Sequence, residues 1–217
     1  MSRSFNGSSQ YGHNSFTMGT TPLTLCAWVY PESVTGSGKA VMGFFGNQNV
    51  YQMFGLSTAL GKWYCASRAA GTEYYAASTT SPANTTWTHV CAVFASTASR
   101  IIYVNGANEG SNSSNVTVSP SRFSVAVRTD GAVPAASPNY FTGQMAEVCA
   151  FDAGLSASQV AELAAGLSPL QVSPGNLRVY LPLFGEQSPE INWRGTGLTL
   201  VGSPPVGSTA PRTFRSQ

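Results

Sequence analysis

Aromatic side chains set among polar loop residues are the groups of this chain that could contact a sugar. A sugar ring has an apolar face and a rim of hydroxyl groups, so a site for it needs aromatic platforms beside amide and hydroxyl groups. The residues that fit this description are Trp63, Tyr74, Tyr75, Asn139 and Tyr140. The sequence predicts ligand binding at these positions, and the alternative is that Trp63 and one tyrosine pack in the core.

Carboxylates suited to glycoside hydrolysis are absent from the sequence pattern. Retaining cleavage needs an acid and a nucleophile about 5–5.5 Å apart, which period-two spacing on one strand would provide. Glu147 and Asp152 are the nearest candidates, and their odd separation places them on opposite faces of a regular strand. No Glu-x-Asp-x-Glu pattern occurs. The sequence therefore predicts a protein that is not an enzyme, with no catalytic residues.

The histidines and the remaining acidic residues offer little further chemistry. His13 and His89 lie in no Gly-x-Ser-x-Gly context. Because His89 alternates with apolar residues on one strand face, a core histidine bonded to a neighbouring strand is expected. Calcium takes about six to eight oxygen ligands, for which Asp130 with nearby carbonyls, or Asp152 with Asn139, are the combinations on offer. Solvated turn residues are the favoured interpretation, so neither a metal nor a cofactor is predicted.

Charged residues are scarce, which excludes several classes of partner. They make up 9% of the 217 residues, with a net charge of +2, against roughly 25% in a typical chain. Nucleic-acid binding needs clustered Lys and Arg, so no nucleic-acid partner is expected. No stretch approaches the roughly 20 apolar residues of a membrane span. Residues 1–7 also lack the apolar core of a secretory signal.

The four cysteines are Cys26, Cys65, Cys91 and Cys149. They show neither the close pairing of zinc sites nor the density of a disulfide scaffold. Three of them fall within apolar, strand-like runs, which favours buried thiols. One disulfide stays open as an alternative.

Short β-type runs recur about every 8–15 residues between Gly, Pro, Asn and Ser clusters, which is typical of a sandwich or barrel. The predicted strands are 23–30, 41–45, 62–67, 88–95, 100–104, 122–128, 144–151 and 178–184, with a shorter one at 198–201. Asn-Gly pairs at 105–106 and 6–7 predict tight turns. Residues 156–166 predict a short helix, with Ser156 and Gln159 as a capping box and Gly166 as the C-terminal cap.

Four stretches in order resemble the laminin G-like, concanavalin A-like jelly-roll superfamily. They are residues 4–11, residues 23–29, the Trp-x-His strand at 87–93 with its Tyr-Val-Asn-Gly hairpin at 103–106, and residues 141–163. The resemblance covers about residues 5 to 166. It implies an all-β, two-sheet antiparallel sandwich, a jelly roll with one short helix. The predicted domain is 1–201, followed by an extended arm at 202–217 in which Arg212, Phe214 and Arg215 are expected to dock on a partner.

Relatives of such a module mostly work outside cells, whereas this chain begins at Met1 without a visible export signal. Virion proteins are made in the host cytoplasm and leave by lysis. The sequence thus favours a non-enzymatic bacteriophage virion protein, a capsid decoration, cement or tail-fibre component. Its expected partners are other virion proteins such as the major capsid protein, and further copies of itself. The alternative is a carbohydrate-binding, lectin-like module that recognises a surface glycan.

Overall fold

Two antiparallel sheets of seven strands each face one another across an apolar core in the part of the chain that the structure describes. The computed structural model describes residues 1–16, 18, 21–47, 49–129, 139–184 and 188–211. The predicted two-sheet jelly-roll sandwich is confirmed.

The first sheet is built around β12, which pairs with β3 on one side and with β1 and β13 on the other. Its strands are β1 (Arg3–Asn6), β3 (Leu23–Pro31), β8 (Thr88–Ser96), β9 (Ser99–Val104), β10 (Ala107–Asn112), β12 (Thr142–Phe151) and β13 (Leu177–Leu181). The strands that follow β3 in this sheet are β8, β9 and β10.

The second sheet has the order β14-β2-β11-β4-β5-β6-β7, so β7 is an edge strand. Its strands are β2 (Tyr11–Asn14), β4 (Lys39–Asn47), β5 (Val50–Ser57), β6 (Lys62–Ala69), β7 (Thr72–Ala77), β11 (Arg122–Val125) and β14 (Thr199–Val201). Consecutive strands from β4 to β7 form a meander.

Alternation along the strands decides which side chains meet between the sheets. In β3, Leu25 and Ala27 belong to the central core, whereas Cys26 belongs to a second cluster outside the first sheet. In β6, Trp63 belongs to the central core and Tyr64 to a third cluster outside the second sheet. Each sheet therefore has an apolar inner face and a partly apolar outer face.

Helices cover only one of the two outer faces among the described residues. The α1 helix (Ala157–Ala164) lays Val160 and Leu163 onto the second cluster, and α2 (Pro169–Val172) follows it. The predicted capping box is present, since the Gln159 N–H donates to Ser156 Oγ at 3.3 Å and the Ser156 N–H donates to Gln159 Oε1 at 3.0 Å. The α2 turn was not predicted; Ser168 caps it and Pro169 opens it.

The two Asn-Gly pairs behave differently. Asn105 and Gly106 have φ angles of 49° and 85° between β9 and β10, which confirms the predicted hairpin. The hairpin expected at Asn6-Gly7 is wrong, because β1 and β2 lie in different sheets. There the Asn6 side chain accepts backbone N–H bonds from three following residues and turns the chain between the sheets.

The predicted strands are present, and five more lie outside the predicted set. β1 and β2 stand on either side of the Asn6-Gly7 turn, and the other three are β5, β7 and β10; β10 reads Ala-Asn-Glu-Gly-Ser-Asn, and its place is set by pairing with β9. The predicted strand at 122–128 ends at Val125, because Ala126 has a φ of 63° and leaves the extended region.

Cys26 and Cys91 form a disulfide, which corrects the expectation that all four cysteines are thiols. The two residues are direct partners in the register of β3 and β8. Cys65 and Cys149 are buried free thiols, as predicted.

Residues 202–211 form no helix or strand, and they pack on the sandwich. The Ser4 N–H donates to the Pro205 carbonyl at 2.9 Å, and the Gly207 N–H donates to the Ser2 carbonyl at 2.8 Å. Arg212, Phe214 and Arg215 lie outside the described residues, so the docking arm stays a prediction.

Candidate functional site

A pocket of about 280 Å³ opens on the outer face of the second sheet, at the end where β5 turns into β6. It is lined by Gly38, Ser57, Thr58, Ala59, Leu60, Tyr64, Glu73 and Tyr75. Hydroxyl groups, one carboxylate and two phenol rings therefore surround a cavity large enough for a small polar ligand.

Strand register brings the pocket's aromatic and acidic groups together. Tyr64 lies opposite Ala77, and Tyr75 lies opposite Ala66, in the pairing of β6 with β7. Small alanines beside each ring leave open space above the sheet. Because β7 is an edge strand, the Tyr75 side chain keeps 42% of its surface exposed.

Hydrogen bonding fixes the carboxylate of the pocket. The buried Tyr51 hydroxyl donates to Glu73 Oε2. Burial, followed by this bond, raises the pKa of Tyr51 to about 12. Burial, with the negative charge of Glu73, also raises the pKa of Tyr64 above its ordinary value. Both phenols are thus protonated at neutral pH, and Glu73 keeps its remaining lone pairs for other donors.

Two of the predicted ligand-binding residues lie at this pocket. Tyr75 lines it directly. Asn139 lies beside it: a Cβ atom placed on Gly38 would be 3.9 Å from Asn139 Nδ2. The Asn139 carbonyl accepts from the Ala40 N–H at 2.9 Å, which anchors this residue to the start of β4.

The other three predicted residues do not belong to the pocket. Trp63 was expected at a ligand surface, and that prediction is wrong, because its side chain is 0% exposed between the sheets. Tyr74 has the opposite orientation to Tyr75, and its ring lies 6.0 Å from the Arg100 guanidinium. Tyr140 packs against Tyr11, with ring centroids 6.1 Å apart. The alternative, in which Trp63 and one tyrosine serve packing, describes Trp63 and Tyr140, since Trp63 belongs to the central core and Tyr140 packs against it.

Glu73 and Tyr64 were missed by sequence reasoning. Glu73 and Tyr75 are two residues apart, so they share a face once residues 72–77 form a strand. The pair would have stood out if β7 had been predicted. Tyr64 shares the outer face because its neighbour Trp63 points inward.

A larger cavity of about 530 Å³ lies between β1 and residues 188–206. Its charged group is Arg3, which donates to Glu190 Oε2 at 2.9 and 2.7 Å and to the Pro204 carbonyl at 3.0 Å. The described residues that line it include no aromatic side chain. The Arg3 guanidinium joins the two chain ends here and is the weaker candidate for ligand recognition.

The sequence candidates for catalysis and metal binding are engaged elsewhere. The Tyr180 hydroxyl donates to Glu147 Oε2. Arg178 donates to Asp152 Oδ2 at 2.6 Å, and Asp130 lies outside the described residues. Within residues that the structure describes, no three His, Cys, Asp or Glu side chains come close enough to hold a metal ion.

His89 is buried as predicted, with its ring centroid 5.4 Å from that of Trp28. The expected bond from its side chain to a neighbouring strand is not found for Nδ1, which has no partner among the described residues. Burial lowers the pKa of His89 to about 3. Its imidazole is therefore a neutral packing group at physiological pH.

The helices of the described residues are all too short, or too polar, to cross a bilayer.

Residues 5–161 match a family model of the laminin G type that is described as the concanavalin A-like lectin/glucanases superfamily. The chain belongs to this superfamily. No curated protein matches its sequence.

Solved structures with the concanavalin A-like fold resemble the chain at low identity. One is a heptameric SAP-like pentraxin from Limulus polyphemus. The match covers 92% of this chain and 94% of the pentraxin chain, with 14% identity and a TM-score of 0.63. Another is domain 4 of an extracellular arabinanase from Geobacillus stearothermophilus, solved in complex with arabinotriose. The match covers 75% of this chain and 76% of that domain's chain, with 18% identity and a TM-score of 0.62.

A phage protein shares the same fold. Tailspike protein 2 from an Escherichia coli O157:H7 bacteriophage matches 83% of this chain, with 15% identity and a TM-score of 0.60. The chain corresponds to only 26% of that tailspike. At such identities these superfamily similarities establish the fold alone.

Proposed function

We propose that this protein is a non-catalytic carbohydrate-binding module that holds a glycan in the pocket above β6 and β7. The observation that carries the proposal is the exposed ring of Tyr75 beside the fixed carboxylate of Glu73. An apolar sugar face stacks on such a ring, while hydroxyl groups on the same sugar donate to the carboxylate.

The polar groups around the ring each have a defined task in this arrangement. Glu73 is held by the Tyr51 hydroxyl and accepts from sugar hydroxyls with its free lone pairs. Ser57 and Thr58 border the cavity and offer hydroxyl groups that both donate and accept. Asn139, beside Gly38, adds an amide at the rim.

Binding without cleavage is proposed because Glu73 is the single carboxylate among the described residues that line the pocket. Glycoside hydrolysis in its usual form needs two carboxylates, an acid and a nucleophile or base. Glu147 and Asp152, on the other sheet, are bonded to Tyr180 and Arg178. The arabinanase domain with bound arabinotriose supports the proposal only as evidence that this fold can hold an oligosaccharide.

Binding to an immobilised glycan library, followed by calorimetry on the best ligand, tests the proposal. Tyr75→Ala is expected to weaken binding by about 10-fold or more, because stacking of this kind contributes on the order of 1 kcal/mol or more. Tyr75→Phe keeps the ring and is expected to keep most of the affinity. Tyr30→Ala removes a ring from the first sheet and serves as the matched control. Equal affinity for wild type and Tyr75→Ala would reject the pocket.

A second proposal concerns the biological setting, and it is compatible with the first. We propose that the module is a bacteriophage virion component, a capsid decoration, cement or tail-fibre part, made in the host cytoplasm and carried on the particle. The similarity to part of a phage tailspike supports it. Exposed Ile191 and Trp193 offer an apolar surface for docking on other virion proteins such as a major capsid protein, or on another copy of the chain.

Particle composition tests this setting directly. Mass spectrometry and cryo-electron microscopy of the sedimentable particle fraction are expected to find the chain at a fixed ratio to the capsid or tail proteins. A chain that is absent from particles and stays in the supernatant would refute the virion role and leave the glycan proposal untouched.

A further inference from the structure

Two arginines beside the pocket make no ion pair within the described residues. Arg68 lies opposite Tyr51 in the register of β5 and β6. Arg128 follows β11, and its guanidinium carbon lies 5.8 Å from the centroid of the Tyr51 ring. The ion pairs that the described part of the chain contains are Arg3–Glu190 and Arg178–Asp152. Within the described residues, both arginines therefore contact Tyr51 and have no carboxylate partner within ion-pair distance.

This arginine pair is continuous with the pocket. Arg68 lies opposite Glu73 in the pairing of β6 with β7, and Glu73 lines the pocket. Arg128 joins this group through Tyr51, whose ring it contacts and whose hydroxyl donates to Glu73. The register sets Arg68 one strand and two residues from Tyr75, about 8 Å between Cα atoms.

Cationic side chains outnumber carboxylates on the outer face of the second sheet in the described residues. Arg122 lies opposite the outward-facing Phe45 and has its Nη1 atom 3.2 Å from His13 Nδ1. Burial, and then Arg122, lower the pKa of His13, so the imidazole accepts this bond in its neutral form. Three arginines therefore stand on this face against the single carboxylate of Glu73.

We propose that the glycan bound at this site is anionic, with a carboxylate or sulfate held by Arg68 and Arg128 while a neighbouring sugar ring stacks on Tyr75. The inference rests on the proposed glycan-binding function and narrows its ligand class. Guanidinium groups bind carboxylates and sulfates through paired N–H donors. An acidic oligosaccharide matches this layout, because one chain presents both a sugar ring for Tyr75 and an anionic group on a neighbouring sugar for the arginines.

A matched pair of probes tests the charge separately from the sugar. The acidic probe is hexagalacturonate, and its control is the same chain after reduction of the carboxyl groups to alcohols. A heparin-derived hexasaccharide carries sulfate as the alternative anion. Calorimetry at low and at physiological ionic strength is expected to give an affinity for one acidic probe about 10-fold above that for the reduced chain, and only the acidic affinity falls with salt.

Variants assign the effect to the arginines. Arg128→Gln and Arg68→Gln are each expected to remove most of the preference for the acidic probe, while Arg128→Lys keeps part of it. Arg194→Gln removes an exposed charge elsewhere and is the control. Thermal melting of each variant checks that the fold is intact. Tyr75→Ala is expected to weaken acidic and neutral probes alike.

The outcomes separate the two proposals. If the reduced chain, or any neutral glycan from the library, binds as tightly as both acidic probes and the arginine variants change nothing, the anionic ligand is rejected and the glycan site stands. If Tyr75→Ala has no effect and no glycan binds, both proposals fail.

Discussion

The outer faces of the two sheets both carry aromatic side chains, but among the described residues a helix covers only the first sheet. The first sheet presents Cys26, Tyr103 and Tyr180 outward, and α1 closes over them. The second presents Tyr51, Tyr64 and Tyr75, with no helix above them among the described residues. A cavity of about 10 Å³ lies on the helix-covered side, against about 280 Å³ for the pocket on the open side. Covering an aromatic face makes it core, whereas the face without a helix keeps an open pocket among the described residues.

Titratable groups also differ between the helix-covered face and the open face. His89 and Glu147 border the small cavity under the helix segment, where one is neutral and the other bonds to Tyr180. Arg68, Arg128 and Glu73 lie on the open side. Function is therefore expected on the second sheet, and stability from the first.

Loss of the disulfide is the largest effect expected on the covered side. Cys26 and Cys91 enclose 65 residues of chain, a loop for which chain entropy predicts about 4 kcal/mol. The double substitution to alanine is expected to lower the free energy of unfolding by about 2–4 kcal/mol, measured by urea titration. Cys65→Ala, at a buried thiol on the other sheet, is the single-site control. Glycan affinity at the Tyr75 pocket is expected to stay unchanged, and a parallel loss of affinity would contradict the division between the faces.

The next largest loss of stability is expected when a buried side chain of the covering helix is truncated. Leu163 is buried against the second cluster, so Leu163→Ala is expected to cost about 2–3 kcal/mol of unfolding free energy. Glu162→Ala, on the exposed side of the same helix, is expected to change it by less than about 0.5 kcal/mol. Equal effects of the two substitutions would mean that α1 does not cover the sheet.

Acid sensitivity gives a third contrast, between the two histidines. The pKa of His89 falls to about 3 because burial disfavours the charged ring. The unfolded chain binds a proton near the ordinary value of about 6.5, so the contribution of His89 is fully present above that pH and is lost as pH falls towards 3. The free energy of unfolding is therefore expected to fall by about 2 kcal/mol between pH 6.5 and 5 because of His89.

His89→Phe is expected to flatten the stability profile over that interval, measured by denaturant titration at each pH. The imidazole resonances supply the control: His13 is half-buried and titrates in the folded protein, whereas His89 does not. A His89 resonance that titrates above pH 5 without unfolding would refute the closed face.

The same two faces show which features of the structure could be predicted from the sequence. The capping box of Ser156 and Gln159, the Asn105-Gly106 turn and the strands with apolar alternation depend on local chemistry, and all were predictable. Trp63 was misplaced because either member of the adjacent Trp63-Tyr64 pair could face the core; the direction of Trp63 is set by the pairing of β6 with β5. Glu73 was missed for the same reason, since only the register of edge strand β7 places it beside Tyr75.

The smallest change in stability is expected where the largest change in binding is proposed. Tyr75 is on an edge strand and 42% exposed, so Tyr75→Ala removes little buried surface and is expected to cost under about 1 kcal/mol of unfolding free energy. The same variant is expected to lose glycan affinity by about 10-fold or more. Urea titration and calorimetry on both variants are expected to give opposite results. Tyr75→Ala weakens glycan binding and keeps the stability of the fold, whereas Leu163→Ala lowers the stability and keeps glycan binding. A Tyr75→Ala protein that is destabilised as much as Leu163→Ala would identify the open face as a second core, and the pocket as a packing defect within it.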